Sequence, residues 1–112
     1  MDEVPENNPE PCVPQTYDEV AARFAALSHP ARIEILQYLS GNRFCCCKEV
    51  VEQFDLAQST VSQHLKILVE AGLVKFSSEK QRSRYELDRA ALSELSISVA
   101  RLVQSCGGPH EK

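Results

Sequence analysis

Two short apolar patterns with a tight polar connection between them constrain this chain more than any other feature. Residues 48–54 put Val50, Val51 and Phe54 on one side. Residues 55–58 then form a tight connection. From Ser59 onward Val61, Leu65 and Leu68 recur at the helical period and share one buried face. Ser59, Ser62, Gln63 and Lys66 fall on the opposite side, which is polar and carries no acid before Glu70. Two short helices joined by a turn, the second with a Ser/Thr/Gln/Lys face, form the helix-turn-helix pattern. Ala71-Gly72-Leu73 closes the second helix, with Gly72 at the position that takes a left-handed backbone. Residues 74–77 and 83–87 both alternate, with Val74, Phe76, Tyr85 and Leu87 inward. They read as a β-hairpin whose polar, basic tip spans residues 78–82. After a helix-turn-helix such a hairpin is a wing, and its cations meet the DNA backbone or minor groove. The bland alternative is a solvated hairpin whose charges touch nothing.

The flanking segments are read in the same way. Residues 1–15 hold Pro5, Pro9, Pro11 and Pro14 among acids and asparagines, have no apolar period, and read as a flexible acidic arm. Thr16-Tyr17-Asp18-Glu19 has the form of a capping box, and Val20, Phe24 and Leu27 follow on one helical face. Ser28-His29-Pro30 breaks and restarts the chain. The next helix runs through Ile33, Leu36, Tyr38 and Leu39 and ends at Gly41-Asn42. His29, beside a helix start, suits a capping or packing role better than that of a ligand or base. Asp88 is placed to cap a last helix over 89–105, along which Leu92, Leu95, Val99, Leu102 and Cys106 recur on one side. That stripe has little to pack against in its own protomer. Pairing with the first helix and its copy in a second subunit would bury it. The expected fold is mainly α with a small β-hairpin: a winged helix-turn-helix domain over 16–106, homodimeric through its N- and C-terminal helices, with a tail at 107–112.

At 112 residues one small domain is expected, with a thin core. No apolar run approaches the ~20 residues of a membrane span, and no signal peptide is visible, so a cytoplasmic protein without membrane partners is the expectation. The net charge of −4 looks unsuited to DNA, but six of the sixteen acids lie in the first twenty residues, which hold no Lys or Arg. The remainder carries twelve bases against ten acids, clustered at Lys75, Lys80, Arg82, Arg84 and Arg89. Five cysteines (Cys12, Cys45, Cys46, Cys47 and Cys106) are an odd number and come without a secretory signal. They argue against a disulfide framework and for metal binding or thiol reactivity.

In LSHPARIEILQYL (27–39), AQSTVSQHLKIL (57–68), EAGLV (70–74) and RSRYEL (82–87) the chain resembles the ArsR/SmtB family of metal- and metalloid-responsive repressors. The ordered combination carries the resemblance, since each piece alone is common to winged helices. The resemblance implies a homodimeric winged helix that binds double-stranded operator DNA and releases it when an inducer binds. Carried over residue by residue, it puts DNA contacts on Gln58, Ser59, Thr60, Ser62, Gln63 and Lys66, with Lys80, Arg82 and Arg84 from the wing. Gln63 suits an adenine edge. His64 lies between the exposed and buried faces, where packing and a phosphate contact are both open.

The family's arsenic, antimony, cadmium and lead sensors carry a C-x-C element at the start of the helix before the reader. Cys45-Cys46-Cys47 contains one, although Lys48-Glu49-Val50 replaces the usual acid and leucine that follow. Soft thiolates select soft ions, and trivalent arsenic and antimony take three. Cysteines at a helix N-terminus are expected to have lowered pKa. Successive side chains on a regular helix diverge by about 100°, so either the turn distorts on binding or Cys12 supplies a ligand from the arm. Arsenite or antimonite is therefore the expected inducer, with cadmium or lead behind them. The last helix has no histidine for the family's zinc or nickel site. A thiol-redox or persulfide sensor would pair Cys106 with a cysteine in the second helix, where Gln37 and Tyr38 stand instead. A non-sensing DNA binder and a small thiol enzyme are the remaining alternatives. No acid/base partner supports the enzyme.

Overall fold

The computed structural model describes residues 16–42, 45–80 and 82–107. Its elements run α1 (Tyr17–Ala26), α2 (Pro30–Ser40), α3 (Cys47–Gln53), α4 (Gln58–Glu70), β1 (Val74–Glu79), β2 (Arg82–Leu87) and α5 (Arg89–Gly107). The expected order of helices and hairpin is therefore the observed one. The arm with Cys12, and the tail beyond Gly107, lie outside the described residues.

Local chemistry fixes the ends of the elements. Thr16 accepts the Glu19 N–H at 3.1 Å and caps α1. His29 caps α2, its Nδ1 accepting the Ala31 N–H at 3.1 Å, and Pro30 follows in the first turn, where no N–H is needed. Asp88 accepts the Ala91 N–H at 3.0 Å and starts α5. Gly72 has φ +82°, and its N–H reaches the Val69 carbonyl while Leu73 N–H reaches that of Leu68. These are the two bonds of a Schellman closure, and they aim the chain into β1. β1 and β2 pair antiparallel from Val74–Leu87 to Glu79–Arg82, and Lys80 takes the left-handed conformation (φ 58°) at the turn.

Ile35, Leu39, Val50, Val61, Leu65, Leu68 and Leu73 are fully buried and form the centre of the core. Val74, Leu87 and Leu95 close it from the hairpin and α5. Each side chain removed from water in this way contributes about 1.5–3 kcal/mol. Several residues expected inward are not. Phe76 is 49% exposed and rests on Tyr85, with ring centroids 5.4 Å apart. Val74 and Leu87 at the base of the hairpin are buried, and of the next inward pair Tyr85 is half-buried against the core while Phe76 is left exposed. Ile33 and Phe24 are also exposed, and Ile35 and Ala26 are buried in their place. The distal half of α5 leaves Ile97, Val99, Leu102 and Val103 open to solvent, and Tyr17 of α1 is exposed as well. No helix among the described residues is long and apolar enough to cross a membrane.

Candidate nucleic-acid interface and cysteine site

The candidate recognition surface is built on α4. Val61, Leu65 and Leu68 anchor one face in the core, which turns Gln58, Ser59, Thr60, Ser62, Gln63 and Lys66 outward; all six are exposed. No side chain caps the N-terminus of α4 and no acid lies in its first turn, so its free N–H groups remain available to a phosphate. On the wing Lys80 and Arg82 are exposed, and Arg84 is half-buried.

His64 takes the packing alternative. It is 7% exposed, behind α4, with its ring centroid 4.6 Å from that of His29 and its Nδ1 3.5 Å from Arg32 Nη1. Burial pushes its pKa below the ordinary value, and His29 and Arg32 add to the shift. A neutral imidazole in that position fills space and does not meet phosphate. Arg32 is itself held by the Ala26 carbonyl at 2.8 Å.

Arg23 was not marked by sequence pattern. Its guanidinium meets the Ala71 carbonyl (3.3 Å), the Ala91 carbonyl (3.3 Å) and Glu94 Oε1 (3.2 Å). It thereby ties α1 to the end of α4 and the start of α5, the last two being on opposite sides of the wing in sequence. The available signal was Glu94, an acid inside the apolar stripe of α5 that is nearly buried.

The three consecutive cysteines occupy three different environments. The three thiols do not share one helical turn: only Cys47 belongs to α3, Cys46 is its N-cap, and Cys45 forms a β-bridge with Tyr85. The two bridge bonds are 3.1 Å from Cys45 N–H and 2.7 Å from Tyr85 N–H. Cys45 is 3% exposed, and its thiol donates to the Asn42 carbonyl at 3.1 Å. Burial pushes the Cys45 thiol pKa up, and Glu49 adds to this against a lowering contribution from a Tyr38 hydrogen bond. The lowered pKa expected of a helix-terminal cysteine thus fails for Cys45, which lies before the helix and inside the core. Cys46 N–H donates to Glu49 Oε1 at 3.0 Å. Cys46 and Cys47 are half-buried, and Cys47 Sγ lies 3.7 Å from Ser62 Oγ on the recognition helix. Among the described residues no three His, Cys, Asp or Glu side chains are gathered as a metal site. Cys106 is exposed near the end of α5, remote from these in the chain.

The family model for bacterial regulatory proteins of the arsR family matches residues 29–75, which run from the cap of α2 through the recognition helix into β1. The arsenical resistance operon repressor of Staphylococcus aureus is 34% identical over 80 residues, covering 71% of this chain and 76% of that protein. The chain belongs to the ArsR family. As an ArsR-family protein it is a DNA-binding transcriptional repressor. A probable mercury resistance operon repressor of Streptomyces lividans is 35% identical over 91 residues, covering 80% of this chain and 70% of that protein. Among solved structures, an ArsR-like transcriptional regulator from Rhodococcus sp. RHA1 superposes with a TM-score of 0.72 at 27% identity, covering 81% of this chain and 85% of that one. These ArsR relatives agree with the helix order and the wing derived above.

Proposed function

We propose that this ArsR-family repressor binds operator DNA as a homodimer and releases it when trivalent arsenic or antimony, or another soft metal, is captured by the thiolates of the Cys45–Cys47 segment. The observation that carries the reading is that Cys46 and Cys47 are accessible thiols at the start of α3, one short helix ahead of the DNA reader. The arsenical and mercury resistance repressors among its relatives support a soft inducer. α4 enters the major groove with Gln58, Ser59, Thr60, Ser62, Gln63 and Lys66, and Lys80, Arg82 and Arg84 follow the backbone. The open apolar side chains of α1 and α5 meet their copies in the second subunit.

Cys46 and Cys47 are the first ligands. Each thiol replaces one hydroxyl of arsenous acid, forming an As–S bond and releasing water, with no change of oxidation state. Cys45 joins only by breaking its bond to the Asn42 carbonyl and leaving the core. Cys12 is the alternative third ligand. An operator gel shift titrated in parallel with arsenite, antimonite, cadmium, zinc and peroxide tests the reading. Release by the first three at concentrations where zinc and peroxide do nothing is expected. Release by peroxide alone would turn the reading to a thiol-redox sensor.

A further inference from the structure

Occupancy of the cysteine segment has to reach the DNA-facing side of α4, and the three cysteines are not equally placed to carry it. Cys45 is pinned to the wing strand by both main-chain bonds to Tyr85 and to the loop by its thiol. Cys46 is fixed through its N–H to Glu49. Among the described residues Cys47 is the one of the three with a side-chain hydrogen-bond approach to α4, its Sγ lying 3.7 Å from Ser62 Oγ. Ser62 stands on the exposed face of α4, one residue before Gln63 and one turn before Lys66.

We infer that Ser62 is the positioning residue through which the ligation state of Cys47 reaches the recognition helix. This rests on the proposed capture of the inducer by Cys47. In the free protein the thiol and the hydroxyl satisfy one another. On ligation an As–S bond replaces the S–H bond, the proton leaves with a hydroxyl of arsenous acid as water, and no electrons are transferred. The sulfur then has no proton to donate and carries a larger substituent beside Ser62. Because Cys45 is held to β2 through its main chain, the segment yields on the Cys47 side. The hydroxyl of Ser62 is thereby drawn away from the geometry in which the groove face presents it.

The test uses the full chain as wild type, Ser62→Ala and Ser62→Thr, with arsenite as the probe. Operator affinity is measured by fluorescence anisotropy with and without arsenite, and arsenite affinity without DNA by thiolate–arsenic absorbance. The wild-type ratio of operator Kd values is expected to be about 5–150. In Ser62→Ala arsenite still binds, but the ratio shrinks by about 2–30-fold. Ser62→Thr keeps the hydroxyl and recovers most of the ratio, which a merely structural role of residue 62 would not require. A wild-type ratio in Ser62→Ala overturns the inference and leaves the inducer reading intact. Absence of arsenite release in the wild type overturns both. Loss of arsenite binding in Ser62→Ala also overturns the inference, because Ser62 would then belong to the binding site and not act after it.

Discussion

α4 and the cysteine segment lie one short helix apart in sequence, yet they are specified in opposite ways. In α4 most roles follow from the period. Val61, Leu65 and Leu68 point into the core, and Ser59, Ser62, Gln63 and Lys66 face outward, with His64 the exception. In residues 45–47 the side chains are chemically identical, and a strand bridge, a cap and a first helical turn give each a different environment. The bridge partner, Tyr85, lies forty residues further along the chain. The outward face of α4 is therefore set by local pattern, whereas the surroundings of Cys45 are set by a distant strand.

The comparison breaks most readily at the helix. Leu65→Ala empties a fully buried site beneath the reading face, and a loss of about 2–5 kcal/mol in denaturant unfolding is expected. An effect below 1 kcal/mol would mean that α4 is not anchored as described. Next in size is Gln63→Ala, which leaves the core untouched and is expected to weaken operator binding by about 1–3 kcal/mol while relaxing base preference at one position. Uniform weakening across sequences would move Gln63 to the phosphate backbone.

The cysteine side is sharpened by thiol labelling followed through pH. Cys46 and Cys47 are expected to react with a maleimide well before Cys45, which is buried and holds its proton to higher pH than an ordinary thiol. Equal rates for all three would dissolve the distinction. The smallest effect expected is at His64, whose pKa is lowered by burial. The unfolded chain takes up this proton first, so stability is full above about 6.5 and declines as pH falls below it. His64→Gln should flatten that decline in thermal melts.

Most of the fold was legible because its signals are local. Thr16, Gly72 and Asp88 marked element ends that the backbone honours. The outward polar face of α4 was legible for the same reason. The depth of the hairpin was not, because Phe76 alternates correctly on a strand that has left the core behind. The Arg23–Glu94 tie was hidden because it joins α1 to the end of α4 and to α5, which are far apart in sequence. The burial of Cys45 was hidden because nothing in a run of three cysteines says which one pairs with β2. His64 was ambiguous by angle and was decided by the neighbouring His29 ring and Arg32 guanidinium.

On the proposed mechanism, accessible thiols ahead of α4 release it from DNA. The direct measurement is the arsenite dependence of operator Kd in the Cys46→Ser, Cys47→Ser double variant beside the wild type. Arsenite is expected to weaken wild-type binding several-fold or more and to leave the double variant's Kd where it was. Equal release in both proteins would contradict it.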